Sequence, residues 1–198
     1  MASSARMAGA AVFVGAVQFA IFMVVAEAYY PGYSVAANYI SDLGATCDLG
    51  TCAIYQPTST IFTVSVALLG ISALVAGYFL WKASYSRPGS LAVILTGVGA
   101  LGVGLFPETT GIVHSIFSLI SFLFAGIAAV VLSPKQKRPL SYFSAILGAA
   151  TLVSLVLYVG KVYVGLGAGG MERMVVYPVL LWAIGFGGYL MGTEEKPA

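Results

Sequence analysis

The chain has 198 residues, 60% of them apolar and 8% charged, with a net charge of +2 and a mean hydropathy of +0.97. Soluble domains carry about a quarter charged residues, so a water-soluble fold is excluded. Disorder and nucleic-acid binding are excluded with it, because the nine Lys and Arg never form a basic run. A polytopic membrane protein remains.

A helix crosses about 30 Å of hydrocarbon with roughly 20 apolar residues. In chain order the stretches of that length are about 7–29, 59–81, 89–106, 112–132, 140–163 and 174–192. Each is apolar on all sides, as a segment surrounded by lipid must be. The expected architecture is therefore all-α: a single transmembrane domain over residues 1–198, built as a bundle of six helices. The first segment, with Arg6 before it and Ala26-Glu27-Ala28 at its end, has the outline of a signal peptide, but its apolar core is long for one. It reads as a retained span.

Short connections predict antiparallel neighbours, with one exception of about thirty residues between Tyr29 and Thr58. Pro31, Gly32, Gly44, Gly50 and Pro57 should turn this loop repeatedly. Within it, Val35, Ala36, Tyr39, Ile40 and Leu43 recur at helical spacing, predicting a short amphipathic helix over 33–43 at the membrane surface, ended by a left-handed Gly44. Cys47 and Cys52 are the only cysteines. A disulfide stapling the loop is expected, since an external compartment is usually oxidising. The competing reading, a quinone-linked thiol oxidoreductase, would need a CxxC motif and a second pair.

Positive loops stay cytoplasmic. Arg6, Lys82, Arg87, Lys135, Lys137, Arg138 and Lys196 fall on one side, and only Lys161 and Arg173 on the other. Both termini are thus expected to be cytoplasmic and the long loop outside, in a multi-pass protein of the cell membrane. The acids are biased oppositely: Glu27, Asp42, Asp48, Glu108 and Glu172 lie outside, Glu194 and Glu195 inside.

Ionisable groups near a bilayer are costly, and those that occur usually pair, face a cavity or function. Asp42, Glu108 and the single histidine, His114, are the candidate proton-handling residues. Asn38, Ser41, Lys161, Glu172 and Arg173 are candidate ligand contacts, Arg173 being suited to bidentate capture of an anion. Each has a purely structural alternative: helix-start and turn hydrogen bonds for His114 and Asp42, ion pairs for Lys161 and Arg173. His114, Ser118 and Ser121 recur at i, i+4 and i+7, so span four should turn a polar face inward. Ser154, Tyr158 and Lys161 make a similar stripe on span five. Thr96, Ala100 and Gly104, and Gly188 with Gly192, form small-residue faces for close helix packing. Gly97-Val98-Gly99-Ala100-Leu101-Gly102 matches a dinucleotide fingerprint by letter only, because no strand precedes it. No Cys/His metal set exists, a serine hydrolase elbow is missing around Ser41, and no cofactor is named by any motif.

Three short segments carry a resemblance: Asn38-x-x-Ser41-Asp42-Leu43-Gly44, Gly104-Leu105-Phe106-Pro107-Glu108 with His114, and Glu172-Arg173 before the last span. Together they resemble the membrane proteins grouped as domain of unknown function 998, over nearly the whole chain. The resemblance implies a polytopic fold common in archaea and no particular activity; the Cys47–Cys52 segment has no counterpart in its pattern. Two readings of function follow. One is an intramembrane enzyme, or an enzyme-like pocket, open to the outer leaflet and acting on a lipid or isoprenoid amphiphile by acid–base chemistry. The other is a non-catalytic accessory subunit that forms homo- or hetero-oligomers through its small-residue helix faces. A transporter would need more mid-membrane polar groups than Gln18.

Overall fold

The computed structural model describes residues 2–48 and 51–192. Lys196, Glu194 and Glu195, which entered the charge asymmetry, lie outside the described residues. Six helices are long and apolar enough to cross a membrane: α1 (Ala2–Tyr29), α2 (Thr58–Lys82), α3 (Arg87–Leu105), α4 (Ile112–Leu132), α5 (Leu140–Val159) and α6 (Gly167–Met191). Local chemistry marks several ends. Ser86 caps α3 by accepting from the Gly89 amide at 3.2 Å, and Pro88 occupies its first turn, where no amide is needed. Gly111, at φ +59°, turns the chain into α4.

Each helix packs on its sequence neighbours, α1 also packs on α6, and α4 touches α6. The bundle is thus a ring of α1, α2, α3, α4 and α6, with α5 laid against the outside of the α4–α6 seam. Small residues set the spacing. A Cβ on Gly70 would fall 2.4 Å from the Leu101 nitrogen, and one on Gly99 2.4 Å from the Ser121 nitrogen, so α3 meets both partners backbone to backbone. Gly104 lies against Ala67, and Ala100 is buried, which places the expected Thr96–Ala100–Gly104 face inside the chain. Gly188 and Gly192 instead face outward.

One end of the bundle is basic. There Tyr85 donates to the Lys135 carbonyl at 3.0 Å, and the Lys137 amide donates to the Tyr189 hydroxyl, joining the α2–α3 and α4–α5 turns to the end of α6. Arg87 stacks over Trp81 and Arg138 over Tyr142, as cations at a membrane boundary commonly do. The opposite, acidic end is covered by the long loop.

Three expectations are corrected at that end. Residues 33–43 form no amphipathic helix, only turns and a 3-10 turn at Ser41–Leu43. The reason is competition for amides: the Tyr39 amide donates to Asp42 and the Ile40 amide to Glu172, instead of to carbonyls four residues back. Ile40, Leu43 and Ala45 are consequently drawn into the bundle mouth and buried. Gly44 is right-handed, at φ −82°, and its missing side chain instead makes room for Phe62, which a Cβ would meet at 3.0 Å. Helix α6 begins at Gly167, seven residues before the expected start, and α5 ends at Val159, four before its expected end. Glu172 and Arg173 therefore lie within α6 and are buried, paired inside the protein where a flanking loop had been expected.

After the 3-10 turn, Thr46–Asp48 (β1) and Thr51–Ala53 (β2) form an antiparallel hairpin with Cys47 opposite Cys52, and the two cysteines are joined by a disulfide. Tyr30 and Thr46 share a 2.6 Å hydrogen bond between their hydroxyls, and Ser59 donates to the Gly44 carbonyl at 2.6 Å, tying the segment to α1 and α2.

Candidate functional site

Arg173 organises the acidic end. Its Nη1 donates to the carbonyls of Val35, Asn38 and Gly169 at 3.0–3.1 Å, and its Nη2 to Glu27 Oε1 and the Tyr33 hydroxyl, both at 2.6 Å. The Glu27 carboxylate balances its charge, and the Tyr33 ring lies under the guanidinium at 5.4 Å. Both terminal nitrogens are thereby committed to the protein. Arg173 is a strut that straps the loop to α1 and α6, and its Nε alone has no partner. Gly169 allows that approach: a Cβ there would sit 1.9 Å from the Asn38 carbonyl oxygen.

The strapped loop delivers Asp42 and Ser41 to the mouth of the bundle. Asp42 Oδ2 accepts from Asn38 Nδ2 at 2.9 Å and from the Tyr39 amide at 3.0 Å. The α3–α4 turn brings Glu108 alongside, close enough to feel the Asp42 charge and to accept from Ser41 Oγ at 3.4 Å. Burial pushes the Glu108 carboxyl up from 4.5 to about 7, helped by the neighbouring Asp42 charge. Burial also raises Asp42, but its bonds from Asn38 and Tyr39 oppose the shift. Of these two carboxyls Glu108 is the better proton holder, because the N–H donors of Asn38 and Tyr39 favour the charged form of Asp42 and Glu108 has no such donors. From α6, Glu172 accepts the Ile40 amide.

Below this cluster lies a cavity of about 130 Å³ whose lining comes from the long loop and from α1, α2, α3, α4 and α6. Ile40, Ser41 and Glu172 form its acidic end, and Phe19, Phe62, Val66, Phe122 and Val176 wall the region beneath. No residue of α5 lines it. The inward polar face of α4 reaches it through Ser118 and Ser121, whereas His114 does not. His114 is buried and its Nδ1 donates to the Phe106 carbonyl at 2.8 Å, bridging the turn that carries Glu108; among the described residues no acid pairs with the ring. Lys161 is exposed beyond α5, at φ +57°, and makes no side-chain bond among the described residues. The structure therefore brings together Asn38, Ser41, Asp42, Glu108, Glu172 and Arg173, sets His114 behind them, and leaves Lys161 apart. Among the described residues no group of three His, Cys, Asp or Glu is placed to hold a metal ion.

Tyr33, whose ring and hydroxyl support Arg173, and the cavity residues Ser72 and Trp182 carry no signal in the sequence. Tyr33 was masked by the helical spacing of its neighbours, and an isolated serine or tryptophan within an apolar span carries no pattern to mark it.

A loop held over an interhelical cavity by a buried arginine, with neighbouring carboxyls beside it, defines a polytopic membrane protein with a polar site at one end of its bundle. The family described as Protein of unknown function (DUF998) matches residues 13–189, and the chain belongs to that family. No curated protein and no solved structure matches the chain.

Proposed function

We propose that this protein binds a lipid or isoprenoid amphiphile at the outer face of the cell membrane and acts on it by acid–base chemistry. The observation that carries this reading is the neighbouring Asp42 and Glu108 carboxyls beside Ser41, where Ser41 and Glu172 form the polar end of an otherwise largely apolar cavity. Glu108 supplies the proton and Asp42 receives one, a division of labour that follows from their unequal surroundings. Asn38 orients Asp42, and His114 is a positioning residue that braces the Glu108 turn through Phe106. Arg173 holds the loop in place. An apolar cavity of about 150 Å³ accepts benzene, so one of 130 Å³ takes a ring or a short branched hydrocarbon portion.

The placement of both termini in the cytoplasm, with the site outward, is supported by charge. Arg6, Lys82, Arg87, Lys135, Lys137 and Arg138 belong to the basic end, and Arg173, one of two cations at the other, is neutralised internally by Glu27. The accessory-subunit reading keeps only the outward Gly188 and Gly192 face, because the Thr96–Ala100–Gly104 face is turned into the chain's own bundle.

The test uses purified protein in mild detergent with added membrane lipid extract, reading lipid consumption by mass spectrometry and ligand-induced shifts in Tm. Wild type should consume a lipid component and gain Tm. Glu108→Gln and Asp42→Asn should keep the Tm gain while turnover falls about 100-fold or more. Unchanged turnover in both variants overturns the acid–base role, and a lipid extract that leaves Tm unmoved overturns the binding site.

A further inference from the structure

The cavity is not uniformly apolar. Trp182 lines it from α6, is 5% exposed, and its indole N–H makes no hydrogen bond among the described residues. A buried tryptophan normally finds an acceptor, and an unmet buried donor is costly enough to require an explanation. Ser72 on α2 and Ser118 and Ser121 on α4 also line the cavity, and none has a side-chain hydrogen bond among the described residues. A helix hydroxyl has a local alternative, and other residues here take it: Thr96, in the same lining, donates back to the Ala92 carbonyl at 2.9 Å, and Ser65 and Ser90 do likewise with Phe62 and Ser86. The three serines leave that option unused. Four residues from three helices thus line one cavity with hydrogen-bonding groups that have no partner among the described residues. Trp182 lies ten residues beyond Glu172 on α6, or about 15 Å along the helix axis toward the basic end.

We propose that the ligand carries a neutral hydrogen-bond acceptor, a carbonyl or ether oxygen, within its buried apolar portion, and that the Trp182 indole N–H receives it with help from the cavity serines. This rests on the amphiphile-binding reading and narrows it. A plain hydrocarbon chain would leave these groups unmet, whereas an oxygen-bearing one satisfies them at a depth where water cannot compete easily. A charged group is disfavoured there, because none of the four partners carries a charge to balance it. The ligand is accordingly two-ended: a polar head against Ser41 and Glu172, and a neutral oxygen deep among the helices.

Acetophenone and ethylbenzene, nearly equal in shape and differing in one carbonyl, test this on the intact protein in detergent. Dissociation constants at matched free concentrations are read from Tm shifts and titration calorimetry. Acetophenone should bind at least about fivefold more tightly, the expected effect of satisfying a buried donor. Trp182→Phe should shrink that preference to within about twofold while leaving ethylbenzene binding intact, and Ser118→Ala with Ser121→Ala should reduce it by a smaller factor. The paired serine variant keeps the test decisive if Trp182→Phe fails to fold. Equal binding of the two compounds, binding of neither, or a preference that survives both variants overturns the inference. Equal binding alongside turnover that still requires Glu108 overturns this inference alone and leaves the proposed function standing.

Discussion

At the scale of single residues, the candidate site holds two carboxyls whose environments differ by a few contacts. Asp42 receives two N–H donors from its own turn, while Glu108 receives one long hydroxyl contact and faces the Asp42 charge. Donors stabilise an anion and a neighbouring anion destabilises it, so the same burial leaves Glu108 the better proton holder. This has a stability consequence whose sign is determined. Glu108 titrates near 7 when folded and near 4.5 when unfolded, so between those values the folded chain binds more protons. Its contribution is fully present below 4.5 and is lost as pH rises through 7. Glu108→Gln should remove this component: in detergent melts between pH 4.5 and 8, the Tm of the variant relative to wild type should climb with pH. A difference that stays flat or falls would show that the Glu108 carboxyl is not held in its protonated form by the fold.

At the scale of elements, the early start of α6 decides the site. With α6 beginning at Gly167, Glu172 and Arg173 face the loop and α1 from inside the helix, and the loop folds around them instead of forming a helix of its own. The disulfide plays a smaller part. It closes a ring of only six residues, for which chain entropy supplies about 2 kcal/mol, and it lies in the hairpin beyond Gly44. Gly169 is the more sensitive point, because the Asn38 carbonyl occupies the space of its missing side chain and the Gly169 amide donates to Ala36 at 3.0 Å. Gly169→Ala should displace residues 35–38, and with them Asp42, so that Tm falls and lipid-induced stabilisation is lost. Gly188→Ala, where a Cβ meets nothing within 4 Å, should change neither. Equal behaviour of the two variants in the same melting assay would show that loop and helix do not depend on this contact.

At the scale of the whole molecule, five helices form a ring and the remaining one, α5, buttresses it. The stripe of Ser154, Tyr158 and Lys161 on span five was readable as an inward face, yet α5 contributes nothing to the cavity. Ser154 is buried against the bundle and Tyr158 meets the Tyr39 ring edge-on at 6.0 Å, while Lys161 lies past the helix end. The orientation inferred from the basic end can be checked in intact cells with single cysteines and a membrane-impermeant thiol reagent. Cysteine placed at Val164, in the α5–α6 turn, should label; cysteine at Lys137, in the α4–α5 turn, should label only after the membrane is permeabilised. The reverse pattern would place the site on the cytoplasmic face.

What the linear sequence determined by itself is whatever depends on composition along a segment. Six apolar stretches specify six helices, short connections specify their antiparallel order, and two cysteines five positions apart can meet across one hairpin. The inward polar face of α4 was legible for the same reason, since Ser118 and Ser121 share a face through the helical repeat alone. The tertiary structure decided what depends on partners distant in the chain. Arg173 reads equally as an anion clamp or an ion-pair partner until Glu27 and Tyr33 close on it, His114 reads as a partner for acids until it meets the Phe106 carbonyl, and Trp182 has no signature until five helices enclose the space beside it. Charge cost in a membrane is a property of surroundings, and a span boundary drawn from hydropathy will stop short wherever a buried ion pair has supplied those surroundings from elsewhere in the fold.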